Sequence, residues 1–563
     1  MRLLVICLTA SLSLPGQVRS GASSNRPSAP APAAAEPLRP DQLCAIHGKV
    51  LNAATGEPLR KANLVLQSTE APRSGGMPAS YTSATDAGGQ FRMIDLEPGK
   101  YRLMVNRNGY VNMNYGAKAP TRPGTTLTLE QGQKMGPLEF HLTPHGVIAG
   151  RIVDEDGEPL AQVQVMPMRY RYGPQGKQLM PTGGSGTNDL GEYRIFGLAP
   201  GKYYLSATHR GGGMFSEMAA DRSGNSGPEE GYVATYYPGT TDPATATPVE
   251  VGPGAEVRGV DLTIAKGRTF RIRGRVINNT TAQGTPMVML EPEVMFFSPR
   301  PHNTVARGPN NQFELRGVPA GSYTLAAMVN ESGRNMAARQ KIEVGNQNLE
   351  NVTLTITPGQ ELSGEVTVEG SEKPQMTGWR LWLRPAEQGR FMYGSESGGQ
   401  VKADGGFTLN NVNPGRLHVN LTGLPDGYFV KSVRSGDQDL PDNVLDTTGG
   451  AAGALRIIVS GKAGQIDGAV SGAAGATVVL IPEDPKRSEQ FQNIKMVNTD
   501  QHGRFSLKSI EPGDYKLYAW EDVEPGSWMD PDFMKPLASK GKAITIREGS
   551  RETAQVVAIP LEP

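Results

Sequence analysis

Apolar and polar residues alternate along most of this chain with a period of two. Tyr101, Leu103 and Val105 alternate with Arg102, Met104 and Asn106, and residues 515–519 repeat the pattern. A period of two is typical of a strand that buries one face. No long amphipathic helical pattern stands out, so the sequence predicts an all-β chain.

One segment recurs five times, at 91–105, 193–207, 313–327, 407–421 and 505–519. Each copy has an aromatic residue, a short apolar run, a Pro-Gly or Ala-Gly corner, and an alternating strand. Successive corner glycines lie 102, 120, 94 and 98 residues apart. This spacing suits independent domains better than a solenoid. The corner motif comprises Pro98, Gly99, Tyr101, Pro200, Gly201, Tyr203, Gly321, Tyr323, Pro414, Gly415, Pro512, Gly513 and Tyr515.

Because Pro fixes φ and Gly tolerates positive φ, each corner is predicted to be the turn of a β-hairpin. Each unit also opens with an apolar-x-Gly-x-apolar strand, centred on Gly48, Gly150, Gly274, Gly364 and Gly468. Several units close with another alternating strand, such as 138–142. About seven short strands per unit predict a β-sandwich.

The repeat divides the chain into a leader, a linker and five sandwiches. The predicted boundaries are 1–20 for a signal peptide, 21–42 for a disordered Ser/Ala/Pro-rich linker, 43–144 for module 1, 145–267 for module 2, 268–359 for module 3, 360–461 for module 4 and 462–563 for module 5. The joints between modules are short and contain proline, as in residues 142–146. We therefore expect a straight rod of about 150–200 Å.

The first twenty residues predict export. Arg2 gives a positive start, and the apolar run Leu3–Leu14 is too short to span a membrane. Small or modest residues then precede a predicted cleavage after Ser20. We expect a secreted, periplasmic or cell-surface protein with no transmembrane segment in the mature chain.

The repeated strings resemble the carboxypeptidase regulatory-like domain, a transthyretin-like β-sandwich related to CnaB-type surface domains. The strings are Gly-x-Val, Gly-x-Pro-Leu, Thr/Ala-Asp-x-x-Gly-x-Phe and Leu-x-Pro-Gly-x-Tyr, best matched at 46–110 and 148–207. Two copies depart from the pattern, with Leu417 in place of Tyr and Ala320 in place of Pro. The resemblance implies a tandem array of accessory, non-catalytic modules.

Composition excludes some classes of protein. Lys plus Arg is 56 and Asp plus Glu is 56, so no global positive field favours nucleic acid. Two cysteines exclude a disulfide-stapled scaffold. After cleavage only Cys44 remains, and a buried thiol is expected, with a free thiol or an intermolecular disulfide as alternatives.

The sequence predicts no catalytic residue, cofactor or metal site. None of the seven histidines has an acid three residues later, as a His-x-x-Glu zinc motif requires. His141 and His145 flank a proline at a module joint, where a surface role is expected. The acidic stretch Asp154–Glu158 reads as a hairpin turn, with calcium binding as the alternative. Lys49 could form a CnaB-type isopeptide bond, but strand 138–142 offers no asparagine.

Aromatic residues near long loops are candidate sugar-stacking side chains. They are Tyr170, Tyr172, Tyr236, Tyr237, Trp520 and Trp528, alongside Trp379 and Trp382 on a strand. Packing in the core is the competing interpretation for each of them.

The leading interpretation is a non-catalytic envelope protein that acts as a structural spacer or a binding and adhesion module. A carbohydrate-binding protein that uses the aromatic loops is the first alternative, and an enzyme with an unrecognised site is the second. The partner stays open between a cell-surface protein and a polysaccharide.

Overall fold

The computed structural model describes residues 39–69, 78–173, 176–209, 229–292, 302–331, 334–370, 374–386, 397–450 and 453–560. The predicted leader and most of the linker lie outside these residues. The described chain is almost entirely β-structure, as the alternation predicts. It forms a tandem array of β-sandwiches, each built from two sheets that we call sheet A and sheet B.

In every module the opening strand is central in sheet A. It pairs antiparallel with the strand before the Pro-Gly corner and parallel with the closing strand. Sheet B is centred on the second strand and the strand after the corner. The same connectivity in five successive units explains why the sequence repeats.

Module 1 places β4-β1-β8 in sheet A and β3-β2-β5 in sheet B, with β6 and β7 along β5. Its strands are β1 (Cys44–Asn52), β2 (Asn63–Ser68), β3 (Ser80–Ala84), β4 (Gln90–Leu96), β5 (Gly99–Asn106), β6 (Met113–Asn114), β7 (Leu127–Leu129) and β8 (Lys134–Leu142).

Module 2 extends sheet B with a long hairpin, β10 and β11. Its strands are β9 (Gly146–Val153), β10 (Val163–Gly173), β11 (Gly176–Pro181), β12 (Ser185–Gly186), β13 (Glu192–Leu198), β14 (Gly201–His209), β15 (Glu229–Tyr232), β16 (Thr235–Tyr236), β17 (Val249–Val251), β18 (Glu256–Val257) and β19 (Leu262–Thr263).

Module 3 begins with β20, which also pairs with β15 of module 2. Its strands are β20 (Lys266–Asn278), β21 (Met287–Pro292), β22 (His302–Val305), β23 (Gln312–Pro319), β24 (Gly321–Glu331), β25 (Arg334–Val344) and β26 (Leu349–Ile356).

Module 4 adds β32 and β33 to sheet A beyond the closing strand. Its strands are β27 (Gln360–Glu369), β28 (Arg380–Pro385), β29 (Ser397–Gln400), β30 (Gly406–Val412), β31 (Arg416–Thr422), β32 (Phe429–Ser435), β33 (Gln438–Asp439), β34 (Val444–Asp446) and β35 (Leu455–Ser460).

Module 5 contains two single-turn α-helices, α1 and α2, on its loops. Its elements are β36 (Gly464–Ser471), β37 (Thr477–Pro482), α1 (Pro485–Ser488), β38 (Lys495–Asn498), β39 (Arg504–Ile510), β40 (Gly513–Trp520), α2 (Pro531–Met534), β41 (Lys542–Ile546) and β42 (Arg551–Val557).

Five hydrophobic clusters fill the space between the paired sheets. Their buried residues lie within 44–142, 148–264, 270–356, 362–459 and 466–556, each inside one predicted module. Cys44 belongs to the first cluster, is 1% exposed and donates its thiol to the carbonyl of Glu130. Among the described residues it is the free cysteine, and it is buried as expected.

The Pro-Gly corner is not a hairpin turn, so this prediction is wrong. The strand before the corner pairs in sheet A, whereas the strand after it pairs in sheet B. The corner therefore carries the chain from one sheet across to the other. Gly201, Gly321, Gly415 and Gly513 have φ between 144° and 156°, which favours glycine.

The corner tyrosine closes this crossing. The hydroxyl of Tyr101 donates to the carbonyl of Glu97 at 2.7 Å, four residues back across the corner. Tyr203, Tyr323 and Tyr515 make the same bond to Ala199, Pro319 and Glu511 at 2.6–2.9 Å. The corner motif thus has a structural role: its tyrosine hydrogen bond stabilises the crossing of the chain between the two sheets.

The predicted straight rod is also wrong, because module 5 contacts modules 1 and 2 as well as module 4. A rod would leave the last module far from the first. Arg122 of module 1 pairs with Asp522 of module 5 at 3.0 Å, and Gly526 of module 5 packs against Tyr172 of module 2. The short joints turn the chain back on itself instead of holding it straight.

Candidate functional site

The long loop of module 5 between β40 and β41 builds an aromatic cluster on the outer face of sheet B. The Trp520 ring lies 5.4 Å from Tyr518 and 6.3 Å from both Trp528 and Phe533, centroid to centroid. Trp520 is 2% exposed and Trp528 is 5% exposed. The cluster therefore acts as a second, smaller core that fixes the loop.

This loop meets module 2 at Tyr172. A Cβ atom on Gly526 would lie 2.6 Å from the Tyr172 carbonyl oxygen, and Gly526 has φ 89°. Only glycine fits this approach without strain. Burial raises the pKa of the Tyr172 phenol, and the nearby Asp530 and Glu524 carboxylates raise it further. The aromatic residues of the two modules thus come together at a module–module contact.

Tyr170 is two residues before Tyr172 on β10, so its ring lies on the same face of the strand. It packs edge-on against Tyr204 at 5.1 Å. The Lys177 amine lies 5.0 Å from the Tyr170 ring centroid and 5.9 Å from that of Tyr172. A cation over both rings stabilises the hairpin beside the contact.

Tyr236 is fully buried in a cluster with Met168 and Leu179, and Tyr237 is half-buried against the module 2 core. The interpretation of Tyr236, Trp520 and Trp528 as exposed sugar-stacking rings is therefore corrected. Their rings are covered by protein and cannot contact a polysaccharide. Tyr170 and Tyr172 are half-buried at the edge of the contact between modules 2 and 5.

Module 5 also contacts module 1 through polar groups. The Gln501 side chain accepts a hydrogen bond from the Thr128 N–H at 2.8 Å and donates one to the Thr128 carbonyl at 2.9 Å. Thr126 forms a parallel bridge with Asp500. Together with the Arg122–Asp522 pair, whose side chains are 26% and 13% exposed, these groups and the Gly526–Tyr172 packing form what we call the closure contact.

Sequence reasoning missed Arg122, Gln501 and Asp522. Nothing in the local pattern around them differs from an ordinary polar turn, and Gln501 lies 373 residues from Thr128. The repeat predicts the turn that contains Gln501, but it does not predict any contact made by that turn.

Neighbouring modules contact each other through a bulge at the end of the strand before the corner. Asn411, with φ 63°, donates from its side-chain amide to the Asn335 carbonyl of module 3 at 2.8 Å. Ser509, with φ 53°, accepts from the Gly427 N–H of module 4 at 3.0 Å. The same repeat position thus serves two successive joints.

The remaining candidates occupy structural positions. The Asp154 carboxylate accepts from the N–H groups of Asp156 and Glu158 at 3.0 and 2.9 Å, as a turn residue does. His141 lies 2.9 Å from Glu139, and the Lys49 amine lies 3.8 Å from the same carboxylate. Burial lowers the pKa of His145.

Two further observations concern only the described part of the chain. No three His, Cys, Asp or Glu side chains there converge so as to hold a metal ion. None of the helices there has the length and apolar character needed to cross a membrane.

The family model of the carboxypeptidase regulatory-like domain matches residues 45–143. Module 1 is therefore similar to a carboxypeptidase regulatory-like domain, and modules 2 to 5 repeat its arrangement of opening, corner and closing strands. No curated protein matches the sequence.

Among solved structures, the chain is similar to the Bacillus anthracis TIE protein at 14% identity, over 56% of this chain and 51% of that one, with a TM-score of 0.16. It thus spans about half the length of that protein. It is also similar to a streptococcal ancillary pilin (13% identity, 56% and 99% covered, TM-score 0.19) and to the Streptococcus agalactiae minor pilin GBS52 (14% identity, 40% and 96% covered, TM-score 0.21).

Proposed function

We propose that this chain is an exported, non-catalytic protein of the cell envelope whose five β-sandwiches form one closed scaffold for binding. The closure contact carries the proposal. Modules held in fixed relative positions present their outer faces to a partner with little loss of conformational entropy on binding. A spacer that holds a partner away from a surface does not fit a chain whose last module contacts its first two.

Export is supported by the pattern of residues 1–20, and an accessory role is supported by the family match of module 1. Between residues 44 and 556 the five hydrophobic clusters leave little chain for a separate catalytic domain.

The test is fractionation of cells that make the full chain, followed by N-terminal sequencing of the recovered protein. We expect an envelope or culture-medium protein that begins at Gly21. A variant without residues 2–20 should stay in the cytosol. Cytosolic full-length protein that keeps Met1 would contradict the proposal.

A further inference from the structure

The outer face of sheet B is covered in two modules. In module 5, Val479 on β37 is completely buried beneath the loop that carries Trp528. In module 2, Met168 on β10 is completely buried in a cluster with Leu179 and Tyr236, which lie on β11 and β16 of the same sheet. In module 5 the covering segment lies between β40, the strand after the corner, and β41.

Module 4 uses the corresponding segment differently. Between β31 and β34 its chain forms β32 and β33, which extend sheet A instead. In the described part of module 4, no cluster of buried apolar side chains like that of module 5 lies on the outer face of sheet B. Trp382 occupies the place that Val479 has in module 5, since both lie three residues before the proline that ends the strand.

Trp382 therefore stays half-buried on an open face, whereas Trp379, Trp520 and Trp528 are at most 5% exposed. Leu381 and Leu383 are completely buried, so the residues that alternate with them point outward. An aromatic ring left on an open face is a recognised feature of binding surfaces.

A groove of about 240 Å³ runs beside this ring, lined by Arg380, Trp382, Gly398, Gly399 and Gln400. It is smaller than the roughly 300–1,000 Å³ of pockets for drug-sized ligands. Gly398 lies directly opposite Trp382, and a Cβ there would come within 2.6 Å of the indole Cζ3 atom. Because Gly398 has no side chain, the Trp382 ring can lie over this strand and line the groove.

The groups around the ring donate and accept hydrogen bonds. In the strand register, Arg380 lies between Gln400 and Thr422, and Asn420 lies beside Trp382. None of the described outward positions on β28, β29 and β31 is acidic, and Arg416 and Arg384 also lie on this face. On the neighbouring β34, Asp446 lies opposite Arg416 and offsets its charge. The face beside Trp382 therefore combines one indole, several amide and hydroxyl groups, and the positive charge of Arg380.

We propose that this face of module 4 binds a carboxylated polysaccharide. The C–H face of one sugar ring packs on the Trp382 indole, and Gln400 and Asn420 bond its hydroxyls. The Arg380 guanidinium binds the uronate carboxylate, for which its planar fork is well suited. The groove accommodates one ring of a longer chain, because it is small and open. This inference rests on the proposed binding role and gives its ligand class.

The test is affinity electrophoresis of the mature chain in gels that contain polygalacturonate, dextran or dextran sulfate, at about 0.15 M salt. We expect polygalacturonate to retard the protein and dextran to retard it much less. Trp382→Ala should weaken binding to polygalacturonate about tenfold, the equivalent of one aromatic contact. Arg380→Gln should remove the preference for polygalacturonate over dextran.

Two further variants keep the result interpretable. Gly398→Ala places a methyl group against the Trp382 indole and displaces the ring, so it should weaken binding although every ligand-contacting group is still present. Phe196→Ala removes an aromatic ring that is 75% exposed on module 2 and should change nothing. Each variant is checked for unchanged thermal unfolding.

Unretarded wild-type protein, or full retention in Trp382→Ala, would overturn the inference. The inference would also be overturned if dextran sulfate retarded the protein as strongly as polygalacturonate and Trp382→Ala did not change this retardation. That result would indicate binding by charge alone. A cytosolic protein that binds polygalacturonate would refute the proposed export and leave this site standing.

Discussion

The corner hydrogen bond shows how single residues maintain the sandwich. Four modules use a tyrosine hydroxyl, but module 4 has Leu417 at that position. There Thr447, 1% exposed, donates to the carbonyls of Asn413 and Gly415 at 3.2 and 3.0 Å, and accepts from the Gly415 N–H. Asn413 is the residue four before Leu417, so the threonine bonds the carbonyl that tyrosine bonds elsewhere.

Replacement of this hydroxyl tests that equivalence. Thr447→Val keeps the shape but removes the hydroxyl that accepts from the part-buried Gly415 N–H, so we expect a loss of about 1–3 kcal/mol in the free energy of opening of this corner. Hydrogen exchange of peptides that cover 413–417 should accelerate accordingly. Thr448→Val, at the exposed neighbour, serves as control and should leave that exchange unchanged.

The corner tyrosines also predict a response to alkali. Burial is the main cause that raises the pKa of Tyr101, Tyr203, Tyr323 and Tyr515, in the case of Tyr323 to about 12. Since only the protonated phenol donates, its stabilisation is complete below pH 10 and is lost as pH rises through the higher folded-state pKa.

We therefore expect ultraviolet titration to show a group of phenols that ionise only above pH 10, together with loss of tertiary structure. Tyr323→Phe should remove one of them. Titration of all seventeen tyrosines with an ordinary pKa in the folded protein would contradict this assignment.

The sequence predicted the elements well but their pairing poorly. Alternation locates strands because burial of one face leaves a direct trace at every second residue. The Pro-Gly corner leaves no trace of its partner sheet, since the same residues permit either a hairpin or a crossing. The sequence also did not predict the bulges just before the corners, which have positive φ at Asp95, Asn411 and Ser509.

The packing of the opening strand against the closing strand explains why each opening strand contains a glycine. A Cβ on Gly468 would overlap the carbonyl oxygen of Ala554 on the closing strand and lie 2.5 Å from the Phe505 ring. Gly48, Gly150, Gly274 and Gly364 face the same kind of obstacle. The repeated apolar-x-Gly-x-apolar pattern thus records the close approach of the opening and closing strands.

Gly468→Ala should destabilise module 5 by about 1–3 kcal/mol, the usual cost of overpacking. The measurement is hydrogen exchange of peptides from β36 and β42. Gly345→Ala introduces the same methyl group where nothing lies within 4 Å, at ordinary φ, and should have little effect. If Gly468→Ala were as stable as the control Gly345→Ala, the opening and closing strands could move apart to accommodate the methyl group without loss of stability, and this explanation would be wrong.

At the scale of the whole molecule, none of the closure contact could be predicted. Its groups come from turns hundreds of residues apart, and each is an ordinary surface residue by local pattern. The aromatic candidates illustrate the limit. The residue types indicated a contact surface, but the sequence could not distinguish contact with a sugar from contact with another module.

Gln501 offers a local probe of closure. Its side chain accepts the Thr128 N–H, so Gln501→Ala should accelerate exchange in peptides that cover 127–129 by roughly fivefold, the value of one hydrogen bond. Gln492→Ala, at an exposed position elsewhere in module 5, should leave β7 unchanged. Unaltered exchange in Gln501→Ala would mean that modules 1 and 5 do not meet in solution.

Small-angle X-ray scattering of the mature chain tests the closed arrangement most directly. A rod of about 150–200 Å would have a radius of gyration of about 43–58 Å, whereas a fully compact chain of this length has one of about 24 Å. We expect a value well below the rod range, and an increase when Gln501→Ala is combined with Asp522→Arg. A wild-type profile of a rod, unchanged in that double variant, would contradict the closed scaffold.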